Sequence, residues 1–415
     1  MWQHPEEADP PKVSCTVRRL GQAIMNKHPH SKPLRLPRRQ RPLARQRMIM
    51  DDLRKQIVHG TLAPNSRLPL RLELLQKYDV SNVTLQRALD RLAMDGYIYA
   101  RGRAGTFVAP HPPHLWQYGL VFPGSPSEPE NWSLFWQALE AEAARITRNG
   151  PRRIVCYYGT EYPQESPDYH KLVDDMRHHR LAGVIFASQT ARFQGLPVIT
   201  EPGIARVEVA GASDRGIPSV GPEGRSIVTL ALDYLKSRGR TKIAMILNTQ
   251  AFTRWGNFWM ETVSQHGLSC AARWFQGVDL RHPECAANVA EMMFYAGGRE
   301  RPDGLIIADD NLLETALSGL LLAGIKVGTD LDVVAHCNFP NSRAITLPIK
   351  RVGFDVHDLL AACFASIDAQ IQGAVSPTHV DIPAKFEENT AAAIAAEIAR
   401  PTARVDSDLD IWAKR

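Results

Sequence analysis

The feature that most restricts the fold is a rhythm. From residue 118 onward, short continuous apolar runs alternate with amphipathic stretches of helical period. "YGLVFPG", "RRIVCYYG", "LAGVIFAS", "GLPVIT", "KIAMILN", "DGLIIADD" and "LDVVAHCN" read as strands. Among them, "LFWQALEAEAARITRNG", "YHKLVDDMRHHR", "GRSIVTLALDYLKSRG", "WGNFWMETVSQHG" and "LLETALSGLLLAG" read as helices. Strands that are apolar along their whole length are buried on both faces, and intervening helices supply the cover. The expectation is an α/β body with two parallel sheets.

A different pattern precedes it. Ile49, Leu53 and Ile57 recur every four residues and Gly60 closes the run, which predicts a helix with a glycine stop. "RLELLQKY" gives a second short helix after Pro69. A third starts at Ser81, whose hydroxyl can cap free amides, with Leu85, Ala88, Leu89 and Leu92 on one face. "YIYARGRAGTFVA" then alternates as two strands around a glycine-containing turn. Three helices and a hairpin make a winged helix-turn-helix. Arg54 and Lys55 on the first helix read as solvated charges.

Charge separates the same two regions. The net +5 conceals a head, residues 1–110, with 20 Lys+Arg against 9 Asp+Glu, and a remainder with 29 against 35. A basic head on an acidic body points to a polyanion partner for the head, here double-stranded DNA. A recognition helix fits the major groove, where base edges carry the full donor and acceptor code. Its outward positions are Asn82, Val83, Thr84, Gln86 and Arg87, next to the capping Ser81. The ribbon offers Arg101 and Arg103 with Gly102 and Gly105, so backbone can approach phosphate or minor groove while guanidinium groups neutralise charge.

The remaining divisions follow composition. Residues 1–44, with clustered Pro, Lys and Arg, read as a disordered basic arm; 45–110 as the DNA-binding domain; 111–117 ("PHPPH" and after) as a linker; 118–388 as the sensing body; 389–415 as a tail. Six scattered cysteines form no CxxC pair or zinc spacing, so reduced thiols and no metal are expected. Without a secretory leader or a long apolar run, the chain reads as cytoplasmic, with no membrane partner.

Residues 45–109 resemble the head of the GntR family of bacterial transcription regulators through "IVHGTLAPNSRLP", "YDVSNVTLQRAL", "DGYI" and "GRAGTFV". The chain departs at Pro64-Asn65, where the family has Pro-Gly, and at Leu70, where it has serine. Two recognition-helix positions often arginine in the family are Asn82 and Gln86. Amides pair with adenine whereas arginine pairs with guanine, so the resemblance implies a changed operator preference. Arg71 lies one position before the family's phosphate-contacting arginine.

The body resembles the LacI-type sensor, a type I fold similar to periplasmic sugar-binding proteins, through "IPSVGPEGRSIVTLALDYLKSRGRTKIAMI", "RPDGLIIADDNLLETALSGLLLAGIKVGTDLDVVAH" and "ITLPIKRVGFDV". Head and body together look like arabinose-repressor-type regulators. That resemblance implies effector contacts from Asp309 and Asp310, at an Asn-Asp pair of the family, and from Asn338, at an Asp-Asp pair whose first position is Cys337. It also implies a contact from Arg254. Ser125, Trp132 and Phe135 follow the first strand of the body and are candidates by position. Trp136, Trp255 and Trp259 fit core packing at least as well as stacking, and Asp310 and Glu223 fit helix capping as well as binding.

The expected function is a ligand-responsive, homodimeric transcription regulator, a repressor of sugar-utilisation genes acting at a palindromic operator, and no enzyme. No cofactor is expected. One alternative, a pyridoxal-phosphate enzyme body, needs a Schiff-base lysine and phosphate cup that the sequence does not offer; a solute-binding receptor needs an export signal and no basic head.

Overall fold

A computed structural model describes residues 41–390 except 129, 131, 213–215, 296–299, 341–344 and 376. The expected arm therefore lies outside the described residues up to residue 40, as does the tail from 391. The first helix, α1 (Arg41–Val58), begins four residues before the expected boundary. The apolar period starts only at Ile49, so nothing in the pattern marked the preceding turns.

Next come α2 (Arg71–Tyr78) and α3 (Asn82–Met94). Ser81 opens α3 as expected, its Oγ accepting from the Thr84 amide at 3.3 Å. Strands β1 (Ile98–Ala100) and β2 (Thr106–Val108) pair antiparallel, with Ile98 opposite Val108 and Ala100 opposite Thr106. Ile49, Leu53 and Ile57 meet Leu85, Ala88, Leu92, Tyr97 and Val108 in one buried cluster. Each such aliphatic side chain contributes about 1.5–3 kcal/mol by leaving water.

The expected linker is packed rather than free. Residues Pro113–Trp116 form a helical turn, α4, and Gln117 already belongs to the first strand of the body. Pro113 is buried against Gly96, where a Cβ would meet the proline ring at 3.5 Å. His114 stacks on Tyr97 with centroids 6.1 Å apart.

The first lobe contains β3 (Gln117–Val121), β4 (Arg153–Tyr157), β5 (Gly183–Phe186), β6 (Ala205–Val209) and β7 (Ser219–Pro222), connected by α5 (Leu134–Asn149), α6 (Pro167–Arg177) and α7 (Pro197–Thr200). The second contains α8 (Gly224–Ser237), β8 (Ile243–Asn248), α9 (Thr249–Gln265), β9 (Phe275–Val278), α10 (Cys285–Phe294), β10 (Gly304–Ile307), α11 (Leu313–Leu322), β11 (Asp332–Phe339) and β12 (Lys350–Asp355). The chain returns with α12 (Val356–Ile371) and β13 (His379–Ile382) and crosses a last time into β14 (Lys385–Phe386). The two sheets run β13-β7-β6-β5-β3-β4 and β14-β12-β11-β10-β8-β9. All pairs are parallel except β12 with β14. The lobes are thus joined after β7, after β12 and after β13, the arrangement of a hinge.

One expected strand is a helix. "GLPVIT" contains α7, and the strand at that place in the sheet is β6, "ARVEV". A short apolar run has no period long enough to separate the two states. Here Pro197 sits at the start of the turn, where its fixed φ and missing N–H suit a helix, and Val198 is fully buried.

Candidate functional site

The outward face of the head is polar and open. Asn82, Gln86, Arg87, Arg101, Gly102 and Arg103 are exposed, and Val83 stands 59% exposed at the start of α3. Thr84 is half-buried, and its hydroxyl lies 3.0 Å from Ser81 Oγ, so both serve the helix start. The wing tip turns through a single 3₁₀ turn at Gly102–Ala104, with φ +52° at Gly102 and +106° at Gly105. A side chain at Gly105 would meet the Arg67 guanidinium at 3.0 Å, so the glycine makes room for that cation. Sequence reasoning missed Arg67. Its signal was a basic residue flanking the Leu68-Pro69 pair, and the structure bridges it to Phe107 of the wing. Arg101 lies 5.5 Å over the Phe107 ring.

Arg71, the first residue of α2, reaches across to α3. Its Nε donates to Asn82 Oδ1 at 2.9 Å, its Nη1 to Gln86 Oε1 at 2.7 Å and its Nη2 to the Asn82 carbonyl at 3.4 Å. Gln86 Nε2 in turn donates to Asp90 Oδ1 at 2.6 Å.

The inner face of the head meets the first lobe, and here Arg54 departs from its reading as a solvated charge. It is 2% exposed, pairs with Asp51 at 3.0 Å and with Asp95 at 3.4 Å, and covers the Tyr97 ring at 5.4 Å; Lys55 is exposed as expected. Asp95 also meets Arg91 at 3.5 Å and, from the body, Arg180 at 3.4 Å. Arg180 is held in turn by Asp174 and Asp175, each at 2.8 Å. The Tyr97 hydroxyl lies 2.8 Å from the His178 carbonyl and 2.5 Å from that of His179, sharing its single proton between them. Burial pushes His114 down to about 4, with the charge of His179 adding to the shift, and burial lowers His179 as well.

Between the lobes lies a cavity of about 250 Å³. The first lobe lines it with Leu134, Gln137, Ala138 and Ala141, one face of α5; the second adds Asp310, Glu314, Cys337 and Asn338 among others. Asp310 and Asn338 sit where β10 and β11 end, the place at which parallel α/β sheets receive ligands. Asn338 Nδ2 donates to Asp310 Oδ2 at 2.6 Å. Capping falls to Asp309 instead: its Oδ1 accepts from the Asn311 amide at 3.0 Å, while its Oδ2 takes Asn248 Nδ2 at 2.7 Å. Asn311 Oδ1 accepts the Leu134 amide at 3.1 Å and so ties the lobes together at the cavity edge. Burial raises the Asp310 carboxyl, with Asp309 adding to the rise, although His336 and Asn338 oppose it. The carboxyl lies 4.0 Å from His336 Nδ1, and neither ring nitrogen of His336 has a hydrogen-bond partner among the described residues. Burial also pushes the Cys337 thiol up to about 12, which keeps it protonated.

The other expected effector contacts do not line this cavity. Arg254 is exposed inside α9 and lies over Trp255 at 5.4 Å. Helix α9 starts at Thr249, earlier than the sequence pattern showed, so Arg254 falls on its outer surface rather than before it. Trp132 is 7% exposed and joins Phe122, Trp136 and Tyr158 in an aromatic cluster, against which Phe135 packs. Trp136 donates to the Ala187 carbonyl at 3.1 Å. Trp259 belongs to the second-lobe core, while Trp255 is 38% exposed. Ser125 bonds Ser127 at 2.8 Å in the turn after β3. Glu223 occupies the start of α8 but makes no side-chain cap. No cluster of three metal-ligating side chains occurs among the described residues, and none of their helices is long and apolar enough to cross a membrane.

Residues 45–108 match the gntR family of bacterial regulatory proteins, and residues 232–387 match a periplasmic binding protein-like domain. The chain is 31% identical over 61 residues to the arabinose metabolism transcriptional repressor of Halalkalibacterium halodurans, covering 15% of this chain and 16% of that protein. It is 34% identical over 71 residues to the HTH-type transcriptional repressor NagR of Bacillus subtilis, covering 17% and 29%. These matches span less than a third of either relative. A solved structure described as a LacI transcriptional regulator, from Bacillus cereus subsp. cytotoxis NVH 391-98, aligns with 65% of this chain and 96% of its own, at 19% identity and a TM-score of 0.50, a likeness of fold. The chain thus joins a helix-turn-helix head that matches the gntR family of bacterial regulatory proteins to a two-lobed body that matches a periplasmic binding protein-like domain over residues 232–387 and is similar in fold to a LacI transcriptional regulator.

Proposed function

We propose that this chain is an effector-responsive transcription regulator, a repressor that binds a palindromic operator as a homodimer and senses a small polar metabolite between its lobes. One observation carries the reading. The head presents an open cationic face outward, while its inner face is fastened to the first lobe through Asp95, Arg180 and Tyr97. Movement of that lobe is therefore felt by the reading helix. A ligand that favours one lobe arrangement shifts operator affinity by its differential affinity for the two states, and by no more.

Arg71, Ser81, Asn82, Val83, Thr84, Gln86, Arg87 and the wing residues Arg101, Gly102, Arg103 and Gly105 form the proposed DNA face. Asp310 and Asn338 form the polar end of the effector site. Acidic Asp310 and Glu314 line the cavity, whereas no lysine or arginine does among the described residues. Such a lining accepts hydrogen bonds from hydroxyl or amino groups and repels anions. A neutral sugar or an amino-bearing analogue fits it better than a sugar acid or sugar phosphate. The arabinose metabolism repressor among the relatives supports a carbohydrate-linked role.

The test is selection of genomic fragments by the purified chain, followed by binding measurements with a panel of sugars. Selective retention of a palindromic fragment, altered at least about tenfold by one sugar, supports the reading, since coupling energies of this kind run about 1–3 kcal/mol. Equal retention of scrambled duplex rejects it. The effector should also raise the melting temperature by mass action, and Asp310→Asn should abolish that rise.

A further inference from the structure

The geometry points to Arg71 as the base-reading side chain of the head, with Asn82 and Gln86 as positioning residues, so that each half-site carries guanine where the two amides alone call for adenine. The inference rests on the proposed reading of duplex DNA and adds the sequence preference to it.

A guanidinium has five N–H donors. Three of the five on Arg71 are engaged by α3: Nε with Asn82 Oδ1, Nη1 with Gln86 Oε1 and Nη2 with the Asn82 carbonyl. One N–H is left on each terminal nitrogen. Guanine O6 and N7 are acceptors in the major groove, and arginine is the commonest specific partner they take.

The amides are correspondingly less available to adenine. To read adenine, an amide must accept from the N6 amino group and donate to N7. Both side-chain carbonyl oxygens already accept from Arg71, and Gln86 Nε2 donates to Asp90. What the head turns toward a duplex at this point is therefore cationic, with one lone pair of each amide oxygen already taken by Arg71.

The local sequence explains the arrangement. Asn82 and Gln86 are four apart on α3, so their side chains stand next to each other on one face. Arg71 opens α2 and spans from there to both. Three hydrogen bonds restrict a side chain that otherwise has about 2 kcal/mol of rotamer entropy to lose, so the fork is oriented before DNA arrives. Arg71, Asn82 and Gln86 are all exposed, so replacing any one of them leaves the head core intact.

The experiment is selection by the full-length chain from palindromic duplexes with randomised half-sites, repeated with variants. Guanine should be enriched at one position of each half-site. Arg71→Ala should reduce the preference for guanine over adenine there roughly 5- to 150-fold, the range expected for one bidentate pair. Arg71→Lys should lose the same preference while retaining overall binding, because it keeps charge without the planar fork. Asn82→Ala and Gln86→Ala should each lower the guanine-to-adenine ratio with binding retained. Adenine enrichment by the wild-type chain would overturn the inference alone. So would an Arg71→Ala variant that weakens all sequences equally and lowers the slope of log affinity against log salt by about one, the behaviour of a phosphate contact. A wild-type chain that selects no duplex overturns the regulator reading and this inference with it.

Discussion

Arg54 and Arg71 lie in the same small domain and carry the same group, yet their surroundings give them opposite work. Arg54 is 2% exposed and bound to Asp51 and Asp95 under the ring of Tyr97. Arg71 is exposed and bound only to neutral oxygens of α3. A buried cation cannot exchange partners without a large desolvation cost, so it fixes structure. An exposed cation held by neutral acceptors keeps its charge and two donors for a partner, so it can read one. The head is thus rigid where it meets the body and available where it faces outward.

That contrast is most severely tested at Asp95. Asp95→Ala strips Arg54 and Arg180 of a shared carboxylate and should destabilise the chain by about 3–5 kcal/mol in denaturant unfolding, the range for breaking a buried pair. Arg71→Ala should stay within about 0.5 kcal/mol of wild type. Equal losses in the two variants would erase the distinction.

A second test uses protons. His114 has a folded value of about 4 against an ordinary 6.5, so the unfolded chain binds the proton more readily than the folded one between those values. The stability it contributes is fully present above pH 6.5 and is lost as pH falls toward 4. The loss should be on the order of 2 kcal/mol, since His114 is only partly buried. His114→Gln should flatten that part of the stability profile. An unchanged slope would show that the head–body contact does not exclude water from this ring.

Smaller still is the effect of Tyr97→Phe. It removes one donor shared by two backbone carbonyls and should cost about 1 kcal/mol. It should also make residues 109–112 more susceptible to protease, and an unaltered cleavage rate would deny the hydroxyl its fastening role. Least of all in stability is Arg103→Ala on the wing, expected within about 0.5 kcal/mol. Its signature lies in DNA binding, where the salt slope should fall by about one.

The exposed and buried halves of the contrast were not equally readable in the sequence. Ile49, Leu53 and Ile57, the cap at Ser81 and the stop at Gly60 are local signals, each decided within one or two helical turns. The recognition helix and wing followed directly from them. Arg54 had no such signal, because its burial depends on Asp95, 41 residues away, and on a body that covers both. The same holds in the cavity. Strand ends brought Asp310 and Asn338 forward as candidates, but nothing local divides capping from cavity lining between Asp309 and Asp310. Nor does local pattern tell that Trp132 and Phe135 pack inward, or that α9 begins early enough to carry Arg254 to its outer face.

By itself, then, the sequence determined the alternation of strands and helices, the cationic head and the apolar faces that must be buried, since periodicity and charge act over short stretches of chain. Tertiary structure alone decided which arginine is buried and which stays exposed, which aspartate caps and which faces the cavity, and that the linker is a packed turn. Those outcomes depend on groups far apart in the chain coming within a few ångströms, where desolvation and hydrogen-bond pairing are settled.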